Sequence, residues 1–288
     1  MPTLAIVGPG AVGGVIAAVL EQTGRHELTR CGRRAAGAVT VELIAGAVRL
    51  ASRFVTDPAL VRPVDWVLVA TKAYDAAGAA AWFPPLVGPR SRVAILQNGV
   101  EHVERFALFL PADRILPVMV DCPAERPEPG RISQRGPGRL VVPAGPDGAR
   151  FTALFAGGNL DVTQVADFKS AVWRKLCLNS VGAINALLLK PAGVFRDEAV
   201  GRLAVAMARE CLVVGRAEGA VLEDGLPESI LEACRQAPPD SINSLHADRA
   251  AGRPMEIDAR NGAVVRFGRK HGIPTPCNEM AVSLLSAR

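Results

Sequence analysis

The chain has 288 residues, of which 49% are apolar, 5% aromatic and 21% charged, and its formal net charge is +5. That length allows one large domain or two ordinary ones, and the excess of Ala, Val, Leu and Gly suits helices packed closely on a parallel sheet. Lysine and arginine form nothing longer than doublets such as Arg33-Arg34, so nucleic-acid binding is not indicated and a small anionic ligand fits the mild basicity as well.

Thr3 to Val7 has the apolar character of a strand and runs straight into glycines; Ala11 to Gln22 is then an alanine-rich helix closed by Gly24. His26 to Cys31 reads as a second strand. Residues 39–43 and 47–51 resemble a hairpin turning at Ala45-Gly46. The segments 65–71 and 92–97 are wholly apolar, as strands covered on both faces are, and a short helix fits between them at about Asp75 to Trp82. Alternating strands and helices of this kind predict a doubly wound α/β domain. From about 114 to 165 shorter strands and turns take over, including two strands joined across Gly136-Pro137-Gly138.

Beyond Asp167 the pattern is helical. One helix is expected from Asp167 to Lys190, where Pro191 stops it, and a second over about 197–218. A third opens at Pro227, a fourth at Asp240 or Ser241, a fifth covers 253–272, and the last starts at Thr275-Pro276. The fold class expected is therefore α/β, a doubly wound sheet over 1–166 followed by an all-α domain over 167–288.

The six cysteines (Cys31, Cys122, Cys177, Cys211, Cys234 and Cys277) make no CxxC pair, and the four histidines are dispersed. We expect reduced, mostly structural thiols in a cytoplasmic protein, with no metal site. The opening MPTLAIVGPGAVGGVIAAVL is hydrophobic enough for a signal peptide, but it lacks a basic head and Gly8-Pro9-Gly10 interrupts it. A strand, a turn and a helix explain it better. No other apolar run is long and uncharged enough to span a membrane.

Gly8-Pro9-Gly10-Ala11-Val12-Gly13 matches G-x-G-x-x-G, placed after a first strand and at the start of a first helix. Gly8 permits the tight turn, Gly10 lets backbone approach a pyrophosphate, and Gly13 lets helix and strand pack closely. The helix start, with Ala11 and Val12, then offers free N–H groups to the phosphates. An NAD site would place an acid about 20 residues further on. Here that region reads Thr29-Arg30-Cys31-Gly32-Arg33-Arg34. Guanidinium groups hold a 2′-phosphate with paired, charge-assisted hydrogen bonds, so NADP(H) is the cofactor expected, with Arg33 the leading contact and Arg30 or Arg34 the alternatives. A solvated basic turn is the bland reading of any one of them.

The helical half poses a separate question. Lys175, in Trp173-Arg174-Lys175-Leu176-Cys177-Leu178-Asn179, sits in an apolar helix with Asn179 four residues on, hence on the same face. A ketone that accepts hydride becomes an alkoxide and needs an acid or cation beside its oxygen. Lysine serves when burial lowers its pKa. A lysine whose head reaches solvent beside a surface asparagine is the alternative. Asn98 and Lys72 follow apolar strands, so both lie at the carboxyl end of the sheet, where ligands bind; Asn98-Gly99 would also make an ordinary turn.

Taken in order, AIVGPGAVGG, VLVATKAYD, LQNGV, WRKLCLN and GRPMEIDARNGAVVRFGRKHGIPTP resemble the ketopantoate reductase (2-dehydropantoate 2-reductase) family along the whole chain. The resemblance implies an N-terminal Rossmann-type domain, a helical substrate-binding domain and an active site between them. It implies NADPH-dependent reduction of a 2-keto acid in the pantothenate branch of coenzyme A synthesis. On that likeness Lys175 is the general acid that protonates the carbonyl oxygen, and Asn179 contacts the substrate or steadies the ammonium. Glu256 is the carboxylate that binds a substrate hydroxyl, Ser244 binds the keto-acid carboxylate, and Asn98 and Lys72 lie beside cofactor and substrate.

One position departs from the pattern. The family often has a second asparagine four residues after the first, where this chain has Ala183, with Asn185 nearby. Either the helix shifts register locally or the pocket has lost a polar contact, which would alter substrate choice. Two other readings follow: a reductase of a different branched 2-keto acid or carbonyl compound, and a non-catalytic NADP(H)-binding sensor. Helical second domains often supply dimer contacts, which leaves a homodimer open.

Overall fold

The computed structural model describes residues 1–34 and 37–287. They form two compact units, Met1–Gln97 with His102–Phe168, and Asn98–Glu101 with Lys169–Arg288. The second unit is thus discontinuous in sequence: four residues that the sequence assigns to the first half cluster with the helices.

The first unit is built on β1 (Thr3–Val7), α1 (Ala11–Thr23), β2 (Glu27–Cys31), β3 (Thr40–Leu43), β4 (Gly46–Arg49), β5 (Arg53–Val55), β6 (Val64–Val69), the short helices α2 (Ala76–Ala80) and α3 (Phe83–Leu86), β7 (Val87–Ile95) and β8 (Ile115–Pro117). Six strands pair in the order β5-β2-β1-β6-β7-β8, all parallel. The order reverses at β1, and ligands bind outside the carboxyl ends at such a switch point. Along β1 alternate residues enter opposite cores: Leu4 and Ile6 join Leu68, Ala94 and Leu116, while Ala5 and Val7 join Val67, Val69, Val93 and Ile95. Burial on both faces is why these strands are continuously apolar in sequence.

β3 and β4 do form the expected hairpin, which joins β10 (Ala124–Glu128) and β11 (Arg131–Gln134) in a second sheet. A third sheet holds β9 (Met119–Asp121), β12 (Arg139–Pro143) and β13 (Asp161–Val165), beside α4 (Pro146–Leu154). The two strands expected on either side of Gly136-Pro137-Gly138 are present as β11 and β12, and they lie in different sheets. β11 pairs with β3 and β10, β12 with β9 and β13.

Cys31, at the end of β2, is fully buried. Burial pushes its thiol up to about 12, against the opposing pull of Arg53. Between an ordinary thiol pKa of about 8.5 and that value, the unfolded chain loses the proton and the folded chain keeps it. Stability therefore falls as pH rises through this window, by up to about 1.4 kcal/mol per pH unit. Urea titrations at pH 8 and pH 10 check this: Cys31→Ala should lose less stability between the two than wild type, and equal losses would contradict it.

The second unit consists of α5 (Phe168–Val181, from Lys169 on), α6 (Ala183–Leu188), α7 (Glu198–Ala217), α8 (Leu226–Gln236), α9 (Ser244–Ala250), a π-type turn over Asp258–Gly262, α10 (Ala263–His271) and α11 (Pro276–Ser286). Asp197 caps α7 through its side chain, and Gly272 closes α10 in the left-handed region at φ +66°. Three expectations change. The helix expected over 167–190 is broken at Gly182. The fourth helix starts at Ser244, because the Asn243 side chain, not Asp240 or Ser241, caps it. Residues 253–256 are not helical, so Glu256 precedes the π turn and is not in a helix's first turn. Among the described residues, no helix is long and apolar enough to cross a membrane.

Candidate functional site

In the first unit the glycine loop lies between β1 and α1. Gly8 has φ +86°, and a Cβ on it would meet the Thr71 backbone nitrogen at 2.8 Å. A Cβ on Gly13 would come within 2.5 Å of the Gly8 carbonyl oxygen and 3.1 Å of the Ala70 Cβ. Gly10 differs: a Cβ there would find only the Gly8 oxygen, 4.0 Å away. Two of the glycines are required by the packing of the protein itself, and the third keeps open the space at the start of α1. No side chain caps that helix, and no acid lies in its first turn. The N–H groups of Ala11, Val12 and Gly13, which find no acceptor within a helix, are left for an anion, together with the positive end of the dipole. These residues fit the pyrophosphate of a dinucleotide.

The three arginines after β1 separate by environment. Arg30 is 6% exposed. It donates from Nε to Ser52 Oγ (2.9 Å) and from Nη2 to the Ser52 carbonyl (2.6 Å), and its guanidinium lies over the Phe54 ring. Its guanidinium is thereby engaged within the protein. Arg33 is exposed and pairs with Asp75 at 3.1 Å; Arg34 is exposed. Asp75, just before α2, had no assigned role in the sequence reading. Lys72 is half-buried beyond the end of β6. The buried Gln97 side chain donates to Thr71 Oγ1 (3.0 Å) and to the Lys72 carbonyl (3.3 Å), joining the carboxyl ends of β6 and β7.

In the second unit, Lys175 and Asn179 lie half-buried one turn apart on α5, beside the buried Leu176 and Cys177. Two asparagines donate to backbone carbonyls at the break around Gly182. Asn261 in the π turn, fully buried, donates from Nδ2 to the Ser180 carbonyl (3.1 Å), and Asn243 Nδ2 donates to the Gly182 carbonyl (3.0 Å). The helix of Lys175 is thereby fastened to the turn that follows Glu256 and to the cap of the helix that begins with Ser244.

At position 183, Ala183 is buried and begins α6, just after the break at Gly182. Asn185 is 4% exposed, and its side chain is taken up by the Lys190 carbonyl and Asn243 Nδ2, each at 3.0 Å.

Glu256 is 4% exposed and accepts a hydrogen bond from Asn98 Nδ2 at 3.1 Å. The adjoining Gly99 has φ +104°, and a Cβ on it would lie 2.7 Å from the Ala259 carbonyl, so this loop packs directly on the π turn. Extra-residue turns of this kind are frequent at functional sites. Ser244 is exposed, and its Oγ accepts a hydrogen bond from Arg260 Nη2 at 2.8 Å. Arg260 is 4% exposed. Burial pushes its guanidinium down, against the pull of Glu256 and Asp248. Asn98, Glu256, Arg260 and Ser244 therefore form one connected polar group. Arg260 and Asp75 are the additions to the sequence reading. The spacing of Arg260, four residues after Glu256, was the signal available for it.

Two sequence models of one family match the chain. The one described as "Ketopantoate reductase PanE/ApbA" covers residues 4–147, and "Ketopantoate reductase PanE/ApbA C terminal" covers residues 167–288. The 2-dehydropantoate 2-reductase of Caulobacter vibrioides is 52% identical over 287 residues, covering 100% of this chain and 99% of its own. The corresponding protein of Mycobacterium tuberculosis is 38% identical over 291 residues, with 99% and 97% covered. Among solved structures, a 2-dehydropantoate 2-reductase from Geobacter metallireducens is similar with a TM-score of 0.92 at 28% identity, over 99% of both chains.

Proposed function

The chain belongs to the ketopantoate reductase (2-dehydropantoate 2-reductase) family, and from that premise we propose that Lys175 delivers the proton, Glu256 with Asn98 binds the substrate hydroxyl, and Ser244 binds its carboxylate. The activity is that of an NADP-dependent oxidoreductase acting on a CH–OH group: ketopantoate is reduced to pantoate, a step of pantothenate synthesis. The observation that carries the residue assignment is the buried Glu256 carboxylate held by Asn98.

NADPH, when bound, supplies the hydride that arrives at C2. Gly8, Gly10 and Gly13, with the N–H groups of Ala11 and Val12, would hold its pyrophosphate, and Lys72, beyond the end of β6, and Asn98, which follows β7, are the further residues we assign to cofactor binding. Lys175 gives a proton from Nζ to the C2 carbonyl oxygen as charge grows there, so the oxygen becomes a hydroxyl and the amine is reprotonated from solvent. Asn179, on the same helix face, orients the ammonium or the substrate. Asn98 fixes one oxygen of Glu256, which leaves the carboxylate oriented as an acceptor for the hydroxyl; a buried acceptor of this kind discriminates against analogues that lack the group. A 2-keto acid as ligand, a homodimer as assembly and the cytoplasm as location complete the reading, the last in keeping with six free cysteines.

For the 2′-phosphate we assign Arg33. Its guanidinium is paired with Asp75, so the phosphate exchanges places with a carboxylate. A panel of 2-keto acids assayed with NADPH and NADH tests the reading as a whole. Ketopantoate with NADPH should be the preferred pair. Arg33→Ala should raise KM for NADPH about 10- to 100-fold, the worth of a charge-assisted hydrogen bond, and leave KM for NADH unchanged. Turnover of other keto acids only would reassign the substrate. Tight NADPH binding without turnover would make the protein a sensor, and a wild-type preference for NADH would remove Arg33 from its role.

A further inference from the structure

The polar group in the second unit contains a charged residue for which the reaction, as described, has no use. Arg260 sits in the π turn Asp258–Gly262 with 4% of its surface exposed. Burying a guanidinium is costly unless charge and hydrogen bonds compensate it. Glu256 and Asp248, both buried, act on it electrostatically, but Asp248 also pairs with Arg253 at 2.9 Å. Compensation within the protein is incomplete, because Arg260 Nε is buried and has no hydrogen-bond partner. Buried donors of that kind are rare and call for an explanation.

The contact with Ser244 has a fixed direction. A guanidinium carries only donors, so at the 2.8 Å contact between Arg260 Nη2 and Ser244 Oγ the serine oxygen is the acceptor. A hydroxyl has one hydrogen. With its acceptor side engaged by Arg260, that hydrogen is turned away from the guanidinium. Ser244 is exposed, whereas Arg260 is not, so the serine presents an O–H donor, backed by a buried positive charge, on the accessible side. An anionic oxygen is the natural acceptor for it.

We propose that Arg260 is a positioning residue for the substrate's carboxylate: it orients the Ser244 hydroxyl as a donor and lends it positive potential without reaching the ligand itself. The proposal rests on the assignment of Ser244 to the carboxylate. A guanidinium that served only to neutralise Glu256 would act on the hydroxyl end of the substrate and would not distinguish a charged from an uncharged carboxyl group.

The test is a double-mutant cycle read with ketopantoate as substrate, and with pantoate and its uncharged amide as competitive inhibitors. Ser244→Ala and Arg260→Gln should each raise KM for ketopantoate and Ki for pantoate by about 10-fold, as expected for loss of a charge-assisted contact. Each should leave kcat within about threefold, and leave Ki for the amide and the affinity for NADPH unchanged. The double variant should be no weaker than the worse single, because the two residues act in series. Arg260→Lys keeps the buried charge and loses the fork. It should show a smaller loss of the same kind, and it replaces Arg260→Gln in the cycle if that variant does not fold. Losses that multiply, or an equal loss for pantoate and its amide, would overturn the proposal. If Ser244→Ala leaves KM for ketopantoate unchanged, the carboxylate assignment itself fails. If Ser244→Ala weakens binding and the Arg260 variants do not, that assignment stands and the role of Arg260 fails.

Discussion

Lys175→Ala is expected to lower kcat about 10³-fold, within the range a positioned general acid contributes, while NADPH affinity stays within about twofold of wild type. An alkoxide forming at C2 is a strong base, and the proton it needs comes from a group already in place. In the role we propose, Lys175 is that group; its helix buries Leu176 and Cys177 and is fastened at its end by Asn261 and Asn243. The hydrogen bonds from Asn261 and Asn243 go to backbone carbonyls and do not involve the Lys175 side chain. Lys175→Arg should be nearly as slow, since a guanidinium keeps the charge but does not release a proton near neutral pH. Single-turnover kinetics and cofactor titration separate the two roles. A loss of NADPH affinity that matches the loss of rate would make Lys175 a structural residue.

The second large effect is expected in the glycine loop, where two substitutions by the same residue should fail differently. In Gly13→Ala the new Cβ would lie 2.5 Å from the Gly8 carbonyl oxygen, which also accepts the Gly10 N–H at 2.7 Å. The turn must open, at a cost of about 1–3 kcal/mol in stability as for other overpacked sites, and NADPH affinity should fall by about 100-fold or more as its phosphate contacts separate. In Gly10→Ala the Cβ would meet, among the described residues, only the Gly8 oxygen at 4.0 Å. The melting temperature should hold, and cofactor affinity alone should fall. Calorimetry and NADPH titration on both variants read the difference. A Gly10→Ala protein that binds NADPH as well as wild type would show that no phosphate approaches that position.

The sequence conveyed most clearly what is settled by neighbours a few residues apart. The buried stretches 4–7 of β1, 66–69 of β6 and 93–95 of β7 are apolar because both their faces are covered, and the glycine spacing follows from the turn between β1 and α1. What it concealed depends on partners far along the chain. The break at Gly182 is stabilised by Asn243 and Asn261, 61 and 81 residues from the carbonyls they bind, so a local reading continues the helix to Lys190. The strands on either side of Gly136-Pro137-Gly138 are legible as strands, but nothing near them shows which partners each pairs with. Of the arginines after β1, Arg30 resembles its neighbours in sequence and differs only through burial against Ser52 and Phe54. Asn98 and Glu256 were both singled out, but their hydrogen bond spans 158 residues and is visible only in the fold.

The excursion Asn98–Glu101 has a consequence for anyone who divides this protein. A polypeptide expressed from Lys169 onward would contain every helix of the second unit, yet it would lack Asn98, the donor to Glu256, and Glu101, whose carboxylate binds Arg266 at 2.6 Å. An excised C-terminal fragment would therefore carry a buried carboxylate that lacks its Asn98 donor and a guanidinium left with Asp258 but without Glu101, and cutting the gene at the apparent boundary would separate the two halves of one hydrogen-bonded unit. Grafting the helical half onto a foreign nucleotide-binding scaffold would require those four residues to travel with it.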